Sequence, residues 1–273
     1  NVENMSQGPM VQRQIEDGTY EKIIPKVYND SVQEFEIESA DHYIELNKTE
    51  VEVKMRIKKA DKTNLVAADN VGLINYPVAS LFKDVEIQLN NETITSGSSN
   101  YADRAIMEIL LSYNKDAVNS WLRAGGFEYD TAGKMDKANP NEADGNAGLK
   151  ERAKYSKESK EVTVRGKLHE DLFNQPKPLP SKNRLYIKFT RSKDSYCLMS
   201  DADNAAYIIE IVEMSLHIRK VKMSNTYLQN MVNKYIRFPI DRVVQKEFVI
   251  TSGISKYVAV SYTHLRAHET SPY

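Results

Sequence analysis

The sequence predicts a mainly β protein, built as an antiparallel sandwich or barrel with one or two short helices in its loops. Several segments alternate apolar and polar residues with a period of two, which is typical of strands with one buried and one solvent-facing side. Helical periodicity is confined to short stretches, and strands do not alternate with helices as they do in parallel sheets. Long polar connections separate the strand segments, as in many antiparallel sandwiches and barrels.

The clearest local prediction is a β-hairpin. Lys83–Leu89 alternates strictly, so that its apolar side chains share one face of a strand. Asn90-Asn91 favours a tight turn because asparagine tolerates positive φ. Glu92–Thr95 then supplies the returning strand.

One amphipathic helix is predicted directly after this hairpin. The helical period extends from Tyr101 to Tyr113, and it places Tyr101 and Ile109 on the same apolar face. Asn100, together with Asp103, is expected to cap the N-terminus, because a short polar side chain there can accept from a free backbone amide.

Further strands are predicted wherever the two-residue alternation recurs. These segments are Val32–Glu38, Glu50–Lys58, Glu161–Leu168, Arg184–Arg191, Tyr207–Met223 and Arg242–Ile250. In Tyr207–Met223 both alternate sets contain apolar residues, with Ile209 and Ile211 opposite Ile208 and Val212. That pattern predicts a central strand covered on both faces.

Two polar segments are predicted to lack regular structure. Residues 1–26 are aperiodic and interrupted by glycine and proline, so they are expected to form a flexible N-terminal arm. Lys134–Ser159 is nearly free of large apolar residues, which indicates a long surface loop. Each segment is a candidate for contacts between subunits, and equally for a free tail or loop.

Composition narrows the class of protein. Charged residues make up 27% of the 273 residues, yet the formal net charge is −1, which argues against a dedicated DNA-binding module and against an acidic disordered chain. Cys197 is the only cysteine, so it is expected to be a small buried hydrophobe, without a disulfide partner or a thiolate metal cluster. No apolar run approaches the ~18 residues of a membrane span, and no signal-peptide pattern indicates secretion.

The sequence offers no catalytic, cofactor-binding or metal-ligating residues, and the chain is predicted not to be an enzyme. Gly126–Lys134 has too long a glycine spacing for a phosphate-binding loop and is expected to be a turn. Residues 201–204 supply oxygen ligands but lack the glycine and glutamate of a calcium loop. His42, His169 and His217 have no partners at metal-site spacing.

Two clusters of basic residues each offer a surface for nucleic acid. They are Arg219-Lys220-Val221-Lys222 and the set Arg184, Lys188, Arg191 and Lys193. At a nearly neutral net charge, such clusters are more often the solvated faces of strands.

A series of short motifs in a fixed order carries a family resemblance. The motifs are Glu34–Ile37, His42–Leu46, Val51–Ile57, Leu81-Phe82, Asp84-Val85, Gln88–Asn90, Asn100-Tyr101, Arg104–Glu108, Leu110–Tyr113, Asp116-Ala117, Asp130–Gly133, Met135-Asp136, Gly148–Lys150, Arg152-Ala153, Gly166, Leu168-His169, Arg191–Asp194, Cys197–Met199, Arg219–Lys222 and Arg242–Val244. Over most of Val32–Ile250 the chain resembles the hexon-like double jelly-roll major capsid proteins of Polinton/Maverick elements and adintoviruses.

The resemblance implies two eight-stranded jelly rolls in tandem. It places the first in residues 27–223, an inter-barrel linker in 224–239, and the start of a truncated second jelly roll in 240–260. The linker is shorter than is usual in the family, and most of the second barrel is missing. Residues 261–273 resemble an adapter-derived tail and are excluded from the fold prediction.

The resemblance also implies a function without catalysis. The chain is expected to be a structural protein of the virion capsid, which forms homotrimeric, pseudo-hexagonal capsomers. The implied partners are penton and minor capsid proteins, with weak contact to packaged DNA, and assembly is expected inside the host cell, in the nucleus. The alternative is a single jelly-roll, lectin-like binding module. A cupin is disfavoured because the sequence shows no clustered His and Glu metal set.

Overall fold

The computed structural model describes residues 15–95, 100–202, 206–231 and 236–241, together with residues 249, 252 and 253. The strands are β1 (Ile15–Ile23), β2 (Val27–Tyr28), β3 (Val32–Glu38), β4 (Tyr43–Lys59), β5 (Val71–Leu73), β6 (Phe82–Leu89), β7 (Glu92–Thr93), β8 (Val162–Lys167), β9 (Arg184–Arg191), β10 (Leu198–Ser200) and β11 (Tyr207–Met223). The α-helices are α1 (Pro77–Ser80), α2 (Tyr101–Ser112), α3 (Lys115–Ala117), α4 (Ala147–Ser156), α5 (Asp194–Cys197) and α6 (Asn225–Met231). Short turns of π or 3₁₀ helix cover Val118–Leu122, Lys157–Ser159 and Asp171–Asn174.

The strand order is that of a jelly roll. One main sheet runs β1-β11-β4-β8 and the other β2-β3-β9-β6-β7, while β5 and β10 form a small two-stranded sheet. Every pairing is antiparallel. Eight strands form the jelly roll, namely β1, β3, β4, β6, β7, β8, β9 and β11. The first pairs with the last (β1 with β11), the second with the seventh (β3 with β9), the third with the sixth (β4 with β8) and the fourth with the fifth (β6 with β7). Successive pairs lie in alternate sheets. The chain therefore folds as one long antiparallel ribbon wrapped into a sandwich, which confirms the predicted fold class.

The core lies between the two sheets, where the period-2 pattern places it. The side chains Val51, Val53, Met55 and Ile57 of β4 and Leu185, Ile187 and Phe189 of β9 are all at most 1% exposed. Burial of each such side chain contributes roughly 1.5–3 kcal/mol. The alternate, polar residues of these strands face solvent, so one pattern determines both faces.

The predicted hairpin is confirmed. β6 and β7 pair antiparallel, and the intervening Asn90 and Asn91 adopt φ of 51° and 71°. Two consecutive left-handed residues match the right-handed twist of the flanking strands. The side chain of Asn90 also accepts a hydrogen bond from the backbone N–H of Arg184 at 2.9 Å, which ties the turn to β9.

Helix α2 is confirmed, but its predicted cap is wrong. The Asn100 side chain makes no capping hydrogen bond, because the residue lies at φ −121°, ψ 13° rather than in the extended region that capping requires. Asp103 instead accepts a hydrogen bond from Tyr196 Oη at 3.1 Å.

The predicted flexible arm is wrong for residues 15–23, which form β1. This strand pairs along its length with β11, and its side chains are largely exposed. Ion pairs link the two strands, such as Lys22 with Glu213 at 2.6 Å and Glu21 with Lys220 at 2.5 Å. A strand exposed on both faces has no apolar alternation to detect. Residues 1–14 of the predicted arm lie outside the described part of the chain.

The prediction that β11 is covered on both faces is also wrong, although β11 does lie inside its sheet. Its register against β4 shifts between Ile211 and Glu213, and a second shift follows farther along. Each irregularity reverses which alternate set points inward. Ile209 and Met214 are therefore both core residues, whereas Val212 is 38% exposed.

Part of the predicted polar loop Lys134–Ser159 is helical, since α4 lies within it. Leu149 is fully buried and packs so closely on Gly72 that an added Cβ there would lie 2.8 Å from its Cδ1. The Asn146 side chain caps the helix by accepting from the Gly148 N–H at 3.0 Å. With so few apolar residues on its buried face, the helix leaves a weak periodic signal.

The remaining predictions concern the C-terminal part of the chain. α6 occupies part of the predicted linker. The strand predicted at Arg242–Ile250 lies outside the described residues except for Val249, and so do residues 261–273. The division into domains stays a prediction.

Candidate assembly surface

In the described ranges, no three His, Cys, Asp or Glu side chains form a group that could hold a metal ion. Cys197 is 1% exposed, and burial raises the pKa of its thiol to about 12. Its Sγ donates to the Ser80 carbonyl at 3.4 Å. A neutral, buried thiol is a packing group rather than a nucleophile, as the sequence predicted.

The loop motifs take the ordinary conformations predicted for them. Gly126 and Gly133 adopt positive φ of 85° and 74°, as turn glycines do. Asp201 accepts a hydrogen bond from Asn139 Nδ2 at 2.7 Å. Asp203 and Asn204, the other oxygen donors of that segment, lie outside the described residues.

The basic clusters are largely neutralised by neighbouring acids. The ion pairs are Arg219–Glu45, Lys220–Glu21, Lys222–Glu16, Arg184–Glu36, Lys188–Glu86 and Arg191–Asp194. Of the seven cations, Lys193 alone has no ion-pair partner among the described residues. The clusters seen in the sequence are therefore mostly solvated faces of β9 and β11.

An exposed apolar ridge distinguishes α2 from the other described helices. Met107, Leu110 and Leu111 are 64%, 64% and 84% exposed. The spacing i, i+3, i+4 places them side by side on one face, and we call these three residues the α2 ridge. Contiguous exposed apolar groups of this kind mark surfaces that bind other proteins.

The opposite face of α2 is held firmly against the sandwich. Tyr101, Ala105 and Ile109 are at most 2% exposed and join the core. Arg104 donates to Glu170 Oε2 at 2.7 Å and to Asp171 Oδ1 at 2.6 Å. Because the helix is anchored through its inner face, it cannot turn the ridge residues inward without breaking these contacts.

A buried polar cluster lies beneath α2. His169 is 1% exposed, and its Nε2 is within hydrogen-bond distance of Tyr76 Oη, at 3.0 Å. Its Nδ1 lies 3.3 Å from Glu108 Oε2. Its backbone N–H donates to Tyr101 Oη at 3.3 Å. His169 is thus a structural residue that joins α2 to the segment after β8, whereas His217 lies on β11 beside Glu52.

The carboxylates of this cluster have shifted pKa values. Burial raises the pKa of Glu170 to about 7, against the opposing effect of Arg104. Burial also acts to raise the pKa of Glu108, but the contact with His169 and the charge of Arg104 together hold it below its usual value. No pattern in the sequence reveals this cluster, because its members come from three separate segments: Tyr76, helix α2 and the residues after β8.

Comparison with known proteins identifies the fold rather than a family. No protein-family model matches the chain, and no curated protein matches it. The chain is similar to a chain in the 3.5 Å cryo-EM structure of the Sputnik virophage, with 14% identity and a TM-score of 0.57 over 81% of this chain and 50% of that one. It therefore spans about half the length of the virophage chain, and the two share a jelly-roll fold.

Two further solved structures are more distant. The Faustovirus major capsid protein has 10% identity and a TM-score of 0.46 over 85% of this chain and 59% of its own. The mavirus major capsid protein has 15% identity and a TM-score of 0.41 over 81% and 49%. Separately, no helix within the described ranges is long and apolar enough to cross a membrane.

Proposed function

We propose that this chain is a structural subunit of a viral protein shell. The observation that carries the proposal is the jelly-roll fold, which the chain shares with a virophage chain at a TM-score of 0.57. The α2 ridge adds a rigidly held apolar surface of the kind that a self-associating subunit needs.

More specifically, we propose that the chain belongs to a capsid protein of Polinton, Maverick or adintovirus type. In it the first barrel comprises residues 15–223, since β1 is one of its eight strands, and a second barrel follows the linker. The complete protein forms a homotrimeric, pseudo-hexagonal capsomer that contacts penton and minor capsid proteins. Its location is the virion capsid, assembled in the host nucleus. The motif order quoted above supports this assignment.

The α2 ridge is the proposed site of contact between copies. Two exposed leucines that become fully buried contribute roughly 1.5–3 kcal/mol each. Loss of both removes roughly 3 kcal/mol or more and therefore weakens association by at least about a hundredfold in Kd. In a closed ring, the same two complementary surfaces of each subunit meet at every interface. One ridge on each chain therefore takes part in every interface.

A pair of double variants tests the ridge. Leu110→Ser with Leu111→Ser is expected to shift the protein toward monomer in sedimentation velocity at micromolar concentration. Ile24→Ser with Val66→Ser is the matched control, because it removes two exposed apolar side chains elsewhere. Circular dichroism establishes that both variants fold. Equal association of the ridge variant and the wild-type protein would show that α2 is not the contact.

The lectin-like alternative predicts a different result. A monomer that binds a sugar saturably, with no association of the wild-type protein, would favour a binding module over a shell subunit.

A further inference from the structure

A deep cavity lies where several strands end on one side of the sandwich. Its volume is about 650 Å³, within the usual range for ligand sites. The lining comes from the end of β4 and the turn after it, the start of β6, the end of β9 and the start of β11. The basic lining residues are Lys58, Lys62, Lys83, Arg191 and Lys193, and the acidic ones are Asp30, Asp194 and Glu210.

The cavity carries an excess of positive charge, in a chain that is nearly neutral overall. Five basic side chains face three acidic ones. Two of the five are neutralised, since Lys58 lies 2.8 Å from Glu210 and Arg191 lies 2.9 Å from Asp194. The other three lysines, which we call the cavity lysines, are Lys62, Lys83 and Lys193.

The cavity lysines have no ion-pair partners within the described ranges, and all three are exposed. Among the three carboxylates that line the cavity, Asp30 is the only one without an ion-pair partner among the described residues. Three unpaired ammonium groups around one concavity repel one another, and bound anionic groups relieve that repulsion. This arrangement contrasts with Arg219, whose charge is balanced by Glu45 at 3.1 Å.

Arg191 is a fixed part of the cavity wall, and its charge is balanced by Asp194. Its side chain is 11% exposed, and it donates to Asp194 at 2.9 Å and to the Ile209 carbonyl at 3.1 Å. Its Nη1 donates to the Asp30 carbonyl at 3.3 Å, while its Nε has no acceptor. These contacts hold the guanidinium in place. Ligand binding therefore costs no conformational entropy at this side chain.

We propose that this cavity binds a phosphate-bearing polyanion. Flexible lysines suit a ligand with several phosphates, because each ammonium group offers three donors without a fixed geometry. Neither a metal nor a single carboxylate matches a site with three free ammonium groups. The shared ligand chemistry fits both a nucleic-acid strand and a free polyphosphate. This site does not depend on the proposed shell function.

Matched triple variants test the site. The first combines Lys62→Gln, Lys83→Gln and Lys193→Gln. The control combines Lys48→Gln, Lys115→Gln and Lys160→Gln, which removes the same charge from exposed lysines outside the cavity. These three also have no ion-pair partners among the residues that the structure describes. Both sets lie on the surface, and thermal unfolding establishes that each variant is folded.

The probes are a fluorescein-labelled short oligothymidylate and inorganic triphosphate as its competitor, followed by fluorescence anisotropy. The cavity variant is expected to lose at least tenfold in affinity, and the control less than about twofold. Loss of three phosphate contacts makes the slope of log K against log salt less negative by about 2 for a single strand. Competition by triphosphate identifies a free polyphosphate as a ligand, whereas binding of the oligonucleotide alone identifies a nucleic-acid strand.

Two results would overturn the proposal. One is equal loss of affinity in the cavity and control variants, which would show that only net charge matters. The other is the absence of binding of either probe at about physiological salt, where the Debye length is ~8 Å.

Discussion

The buried carboxyl of Glu170 leads to a prediction about stability and pH. Its side chain is 13% exposed and shares the Arg104 guanidinium with Asp171, so two carboxylates compete for one positive charge. Burial raises the pKa of Glu170 from 4.5 to about 7. Glu170→Gln removes this titration and leaves a neutral side chain of similar shape.

The direction of the pH effect follows from the linkage between protonation of Glu170 and folding stability. A carboxyl whose pKa is higher in the folded state favours folding when it is protonated, so this contribution is present at low pH and is lost as pH rises through about 7. A shift from 4.5 to about 7 corresponds to between about 2 and 3 kcal/mol of differential stability from about pH 5 to about pH 8. Glu170→Gln is therefore expected to gain that amount relative to the wild-type protein over the same interval.

The assay is urea unfolding followed by circular dichroism at several pH values, with the two free energies of unfolding compared at each. Glu92→Gln is the control, because Glu92 is exposed on β7. The reasoning would be refuted if the difference between Glu170→Gln and the wild-type protein changed by less than about 0.5 kcal/mol, the usual scale of a surface substitution.

Two other predictions concern packing. Gly125→Ala is expected to destabilise the fold by about 1–3 kcal/mol in urea unfolding, because its Cβ would lie 2.4 Å from Cε2 of the fully buried Tyr76. Gly133→Ala serves as a control free of contacts, and its added Cβ meets only the cost of a positive φ; equal losses in the two variants would contradict the steric explanation. Cys197 is expected to resist a thiol reagent in the folded protein at neutral pH, since its thiol is buried with a pKa of about 12, and to react fully in denaturant. Rapid labelling under native conditions would contradict that burial.

The sequence was most informative where one face of a strand is buried. Val32–Glu38 and Arg184–Arg191 coincide with β3 and β9 to the residue, because alternation requires only that one face meet the core. The hairpin was equally predictable, since the turn conformation is local to Asn90 and Asn91.

The failures share a physical cause, which is that nonlocal contacts override the local pattern. β1 is held by backbone pairing and ion pairs to β11, so its own residues carry no apolar signal. A shift of register at Ile211 made an ordinary half-buried strand look covered on both faces. On the buried face of α4, Leu149 is the only large apolar residue, beside Gly148, Arg152 and Ser156.

The two surfaces proposed for function differ in how far the sequence reveals them. The helical period predicted α2. The apolar residues of α2 that do not join the core, Met107, Leu110 and Leu111, form the ridge. The cavity lysines come from three separate segments, namely the turn after β4, the start of β6 and the residues after β9, and only Lys193 belonged to a cluster visible in the sequence. The topology of the fold, rather than spacing along the chain, brings Lys62 and Lys83 to the same cavity as Lys193.

The central claim is self-assembly into a shell, and the mass of the assembled species tests it most directly. Sedimentation equilibrium at micromolar concentration is predicted to give three times the mass of one chain. A single species with the mass of one chain would contradict the account.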